Sequence, residues 1–208
     1  MKIELTALFI ILLLSIPGIS LAKPTLTQKV FTGYELAQDW DLVSAEKLSQ
    51  ALLNEHPDSG DAHFLSARIE FLKGNYEHSW KILKNVGENF KEVSDFKKLV
   101  NATLKASKNF VSVETEHFHI RYEEGPDEVL IYYAKEVLEK SYQVLGKILE
   151  HLPQEKVLIE IYPDREPFSK ISPLSLQDIL TSGTVALCKY RRIMMISPGS
   201  LVRGYNWM

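Results

Sequence analysis

The apolar positions of this chain change their spacing twice. Leu5 to Ile16 is an unbroken apolar run behind Lys2, broken by Pro17-Gly18. Beyond it apolar residues recur at helical intervals. Phe64, Ala67, Ile69 and Leu72 fall on roughly one side of Ala62 to Leu72, and after a Gly74-Asn75 turn Trp80, Ile82 and Leu83 continue the pattern from Tyr76 to Val86. A further helix is predicted over about Phe90 to Ala106. From about Val111 the spacing becomes alternating: Phe118, Ile120 and Tyr122 point one way, His117, His119 and Arg121 the other, as in a half-buried strand. Glu123-Glu124-Gly125 reads as a turn, and Pro126, Asp127 and Glu128 suit the start of a helix. Val129, Leu130, Tyr133, Val137, Leu138, Val144, Leu145, Ile148 and Leu149 then carry helical spacing up to Pro153. Val157, Ile159 and Ile161 alternate with Leu158, Glu160 and Tyr162, giving a second strand. The stretch from Pro167 to Ser182 is a connection holding a short helix. Gly183 opens a third strand over Thr184 to Cys188, and Arg192 to Ser197 forms a hairpin-like pair with it. The fold class this predicts is α+β, helical first and then an incomplete α/β half-domain with a mixed sheet.

The helical half repeats itself. Gly33 and Ala67 are 34 residues apart, as are Trp40 and Gly74, Asp41 and Asn75, Leu42 and Tyr76, and Ala45 and Ser79. One further step gives Lys108-Asn109-Phe110, which repeats Gly74-Asn75-Tyr76. Small residues where two helices approach, with an aromatic after the turn, resemble the tetratricopeptide repeat. The resemblance implies a right-handed stack of five helices over 23–108, with a groove for a peptide or another domain. The tryptophan expected early in each unit is replaced by Lys29 and His63, so the repeats are degenerate.

Composition narrows the setting. A formal charge of -3 without a basic stretch argues against a nucleic-acid surface. The first 22 residues read as an export signal, because Ser20-Leu21-Ala22 places small residues where a signal peptidase cuts. The apolar run falls short of the roughly 20 residues a membrane span needs, and no later segment is apolar enough to cross a bilayer. The mature chain is then expected to begin at Lys23, outside the cytoplasm, with an uncleaved anchor as the alternative. Cys188 is the single cysteine and can make no intrachain disulfide. Its apolar neighbours suggest a core thiol.

Few residues suggest chemistry by themselves. His117 and His119 alternate on a strand, where two imidazoles could face one metal, but no third ligand is placed by sequence and a solvent-facing pair is the plainer reading. Asp164 and Glu166 follow a strand end, where catalytic carboxylates often sit. They fit a polar turn equally naturally. Ser197 and Ser200 lack the small-residue elbow that exposes a nucleophile.

The order HFHIRY, a long helix with a central Tyr142, KVLIEIYPD followed by Phe168, GTVALCKYRRIMMISP and then Tyr205 and Trp207 resembles the N-terminal part of the peptidase MA-like domain, a gluzincin-type zinc metallopeptidase. The likeness covers roughly residues 109–208. It implies a zincin-type sheet, an H-E-x-x-H helix within roughly 15 residues beyond Met208, and zinc in the full-length protein. No catalytic residue and no metal ligand is assigned to the present chain. What the resemblance implies here is a strand that pairs with the substrate backbone, placed on Gly183, Thr184, Val185 and Ala186 or on the Arg192 to Ser197 strand. The expected function is therefore the N-terminal portion of an exported zinc-dependent peptidase acting on a peptide or protein. A non-catalytic exported adaptor that binds a protein partner is the alternative.

Overall fold

A computed structural model describes residues 24–87, 91–125 and 128–201. The export segment 1–22, Lys23, the helix-start residues Phe90, Pro126 and Asp127, and the pair Tyr205 and Trp207 lie outside the described residues. The described chain is α+β, with a helical array followed by a five-stranded mixed sheet.

The array comprises α1 (Leu26–Gln38), α2 (Leu42–Glu55), α3 (Gly60–Leu72), α4 (Tyr76–Leu83) and α5 (Lys91–Ala106). Each helix packs on the next, and α1 also touches α3. Side-chain caps fix three of the starts. Thr25 forms a capping box with Gln28, Asp41 accepts from the Ser44 amide, and Ser59 accepts from the Ala62 amide. The 34-residue period is visible in the backbone. Trp40 and Gly74 occupy equivalent turns, and both have left-handed φ, 66° and 82°. Their successors Asp41 and Asn75 are the N-cap residues of α2 and α4. Leu42, Tyr76, Ala45 and Ser79 are all buried. Gly33 is small for a steric reason, since a Cβ there would lie 2.4 Å from Leu65 Cδ2. At the third step the period ends differently. Lys108-Asn109 still turns, but Phe110 starts a strand instead of a helix and stacks obliquely on Tyr162.

The second half contains β1 (Phe110–Glu114), β2 (Phe118–Glu123), α6 (Glu128–Ile148), β3 (Val157–Tyr162), α7 (Arg165–Ile171), α8 (Leu176–Ser182), β4 (Ala186–Lys189), β5 (Arg192–Ile196) and α9 (Pro198–Leu201). The sheet order is β1-β2-β3-β5-β4, with β2, β3 and β5 parallel and antiparallel strands at both edges. The pattern predicted four of these strands and missed β1, a five-residue edge strand with no buried residue, in which Ser112 and Glu114 are exposed and the other three are half-buried. Strand alternation gives the sheet two faces. Phe118, Ile120, Tyr122, Ile159 and Ile161 pack with Ile131 of α6. The opposite face carries Tyr162, Met194 and Ile196, which meet α7, α8 and residues of α5. On that face Ser112, Arg121 and Glu160 stand side by side across three strands.

Helix α6 buries only part of its apolar spacing. Of the apolar positions that carry the helical spacing, Leu130 is buried and Leu138 packs partly buried on the core, whereas Val129, Tyr133, Val137, Val144, Leu145, Ile148 and Leu149 are exposed. Its apolar band is wider than one helix face, and a helix resting on a sheet can bury only one face. Among the described residues no helix is long and apolar enough to cross a membrane.

Gly74 joins the two halves. Its φ of 82° disfavours any side chain, and a Cβ there would lie 2.9 Å from Leu158 and 3.1 Å from the Arg121 guanidinium. Gly74→Ala is expected to lower stability by about 1–2 kcal/mol from the left-handed backbone alone, and further if Leu158 cannot yield. Equilibrium urea unfolding measures it. A change within error of zero would show that the turn adapts.

Candidate functional site

The best-built polar site lies where the array meets the sheet. Glu160 is the lone charge in an otherwise apolar central strand, and its side chain is fully buried. Tyr76 of α4 donates to its Oε1 at 2.6 Å, and Tyr162 donates to its Oε2 at 2.7 Å. The Arg192 guanidinium lies 3.0 Å from Oε2, and Arg121 is 3.7 Å from Oε1. Arg192 Nη1 also donates to the Tyr76 hydroxyl. Burial, reinforced by the Glu160 charge, raises both phenols above their ordinary value, so they act as hydrogen-bond donors.

Arg192 is 1% exposed, and its Nε and Nη2 have no hydrogen-bond partner. The guanidinium carbon sits over the rings of Phe71, Tyr76 and Tyr190 at 5.1, 5.0 and 5.9 Å. The aromatic faces supply electrostatic attraction that the missing acceptors do not. Tyr190 reaches this point from the β4–β5 hairpin, whose two turn residues Tyr190 and Arg191 have φ of 54° and 57°. Such a two-residue turn favours Asn or Gly. Packing against Phe71 compensates for the unfavourable backbone.

Beside the network opens a cavity of about 650 Å³, between the start of α4, the end of α5 and strands β1 and β2. Arg121 lines it and donates at 2.8 Å to the Gly74 carbonyl. A smaller cavity of about 300 Å³ is lined by Trp40 and by the first residues of β3 and β5, Val157, Arg192 and Ile193.

The residues singled out by sequence are spread apart. Gly183 is the left-handed C-cap of α8, with φ of 69°. Thr184 and Val185 lead into β4, the Val185 carbonyl accepts from the Ile196 amide at 2.9 Å, and Ala186 begins the strand. These four residues therefore lead into, or begin, an edge strand. The alternative, Arg192 to Ser197, falls on β5 (Arg192–Ile196), an inner strand held between β3 and β4, with Ser197 just past its end. Asp164 caps α7 by accepting from the Glu166 amide, and Glu166 pairs with Lys170 at 2.7 Å. Both belong to a helix start. Cys188 is exposed, which corrects the core-thiol expectation: on the short edge strand β4 its side of the ribbon is left uncovered.

His117 and His119 do not form a pair. His117 lies one residue before β2, and its ring turns toward α6, stacked on Tyr142 at 3.8 Å. Its Nδ1 donates to Glu139 Oε2 at 2.6 Å, and its amide donates to Glu139 Oε1 at 2.9 Å. His119 follows the alternation to the Arg121 side, where burial and then the Arg121 charge hold its imidazole below the ordinary value. The expectation that both imidazoles share a face is corrected. Outside the regular strand, the hydrogen bonds to Glu139 decide where His117 points.

Glu116, His117 and Glu139 are the group of possible metal ligands that converges among the described residues. They do not fit the zinc implied by the peptidase resemblance. Ligands at zinc distances stand about 3.3 Å apart around a tetrahedral ion, whereas His117 and Glu139 touch through a 2.6 Å hydrogen bond. Burial would raise the Glu139 carboxyl, but hydrogen bonds from Thr115 and His117 hold it down to about 2. A depressed carboxyl contributes stability above its unfolded value, ordinarily 4.5, and loses that contribution as pH falls toward 2. Glu139→Gln is expected to flatten the stability profile between pH 4.5 and 2. Denaturation midpoints that keep the parental slope in that interval would contradict it.

Sequence reading missed Glu160, Arg121, Arg192, Tyr76 and Glu139. One signal was present: a carboxylate inside VLIEIY needs a partner if the strand is central. Comparison with protein-family models, curated proteins and solved structures finds no match for this chain.

Proposed function

We propose that this chain is the substrate-holding, non-catalytic portion of an exported zinc-dependent peptidase. In this reading the helical array is a degenerate tetratricopeptide stack and the sheet is the opening half of a zincin-type domain. Zinc and the residues that bind it belong to the full-length protein, and none of the present residues is given a catalytic role. The observation that carries the reading is β4, an antiparallel strand at the edge of an otherwise largely parallel sheet. An edge strand has unpaired backbone groups with which an extended peptide can form hydrogen bonds. Export rests on the apolar run and the Ser20-Leu21-Ala22 site.

The second reading, an exported adaptor that binds a protein partner, is favoured by the cavity of about 650 Å³ between array and sheet. Hydrogen exchange with a library of extended peptides separates the two. Protection of amides 184–189 supports the peptidase portion, and protection confined to 75–81 and 107–112 supports the adaptor. Protection in neither region removes both.

A further inference from the structure

We infer that the junction cavity is a binding site for an oxyanion, supplied by a carboxylate or a phosphate group. The buried network beside it is unbalanced: two guanidinium groups, Arg121 and Arg192, share the single carboxylate of Glu160. Arg192 is sealed, so the surplus positive charge can be reached only through Arg121, which is partly exposed and lines the cavity. A charge in such surroundings is weakly screened by water and favours a counter-ion.

Cations outnumber carboxylates along the rest of the wall. Lys81 projects from α4 and Lys108 from the turn after α5, so three permanent cations face the one carboxylate of Glu77. The Ser112 hydroxyl also lines the space and can donate to a bound oxygen, whereas the Ser107 hydroxyl already donates to the Thr103 carbonyl at 2.8 Å. The start of α4 adds to this. Its N-cap Asn75 makes no side-chain cap and instead donates to Glu70 at 2.9 Å, which leaves the first amides of α4 without a side-chain acceptor at the cavity. The volume suits a small ligand or the end of a peptide. Residues from both the array and the sheet line the site, so an occupant would tie the two halves together.

This inference stands apart from the reading of β4, because the site lies toward the β1 edge of the sheet. Titration of the full chain with inorganic phosphate and with succinate, at ionic strength matched with sodium chloride, tests it by NMR of amides 75–81 and 104–112. Saturable shifts in that region are expected with at least one of the two anions. Phosphate alone would identify a phosphate ligand, and succinate alone a carboxylate ligand. Lys81→Gln with Lys108→Gln should weaken binding at least ten-fold. The control Lys140→Gln with Lys147→Gln, on exposed positions of α6, should leave it unchanged. Absence of saturation with both anions, or equal affinity in the Lys81/Lys108 variant, overturns the inference. Neither result would bear on amide protection at β4.

Discussion

Glu160→Ala is expected to destabilise the protein by about 3–5 kcal/mol, the usual consequence of leaving a buried charge without its partner. Arg192, at 1% exposure, cannot move its guanidinium into water without unpacking Phe71 and Tyr190. The two phenols would lose their acceptor at the same time. Native proteins have only about 5–15 kcal/mol in total, so the single variant approaches unfolding. The double variant Glu160→Leu with Arg192→Met keeps the test decisive. Removing both charges together is often neutral, because the cost of desolvating an ion pair can match its attraction. Guanidinium unfolding followed by tryptophan fluorescence should therefore place the double variant well above Glu160→Ala. If the double variant is the less stable of the two, the pair holds the junction through a net favourable interaction.

Phe71→Ala should cost about 3–5 kcal/mol, the range for removing a buried aromatic ring. Phe71 is 1% exposed and holds several partners at once. Its ring meets Tyr76 at 5.3 Å, Phe96 at 5.3 Å and Tyr190 at 5.6 Å. It also underlies the Arg192 guanidinium. The contact with Tyr190 links α3 of the array to the β4–β5 hairpin. A double-mutant cycle with Tyr190→Ala should accordingly show a coupling of about 0.5–3 kcal/mol. Additive effects would mean that hairpin and array are held by other contacts.

The elements were legible because their signals are local. Helical spacing marks α3 and α4, and alternation marks β2 and β3, since each depends on which side of a single segment is apolar. The 34-residue repeat extends this to conformation, with Trp40 and Gly74 adopting the same left-handed turn. Shorter or shared signals were less clear. β1 alternates over only five residues. The connection after β3 holds two helices, α7 and α8, where one was predicted.

By itself, the sequence determined the α+β order of elements, the helical repeat and the hairpin-like pair that closes the described sheet. These follow from periodicity and turn residues along the chain. Only the tertiary structure decided that Tyr76 meets Glu160 across 84 positions and that Arg192 meets Tyr76 across 116. It also turned His117 away from His119, and it left most of the apolar residues of α6 exposed. The physical reason is common to all of these. Periodicity reports which face of an element is apolar, whereas the partner a polar group finds depends on which distant element the fold brings beside it.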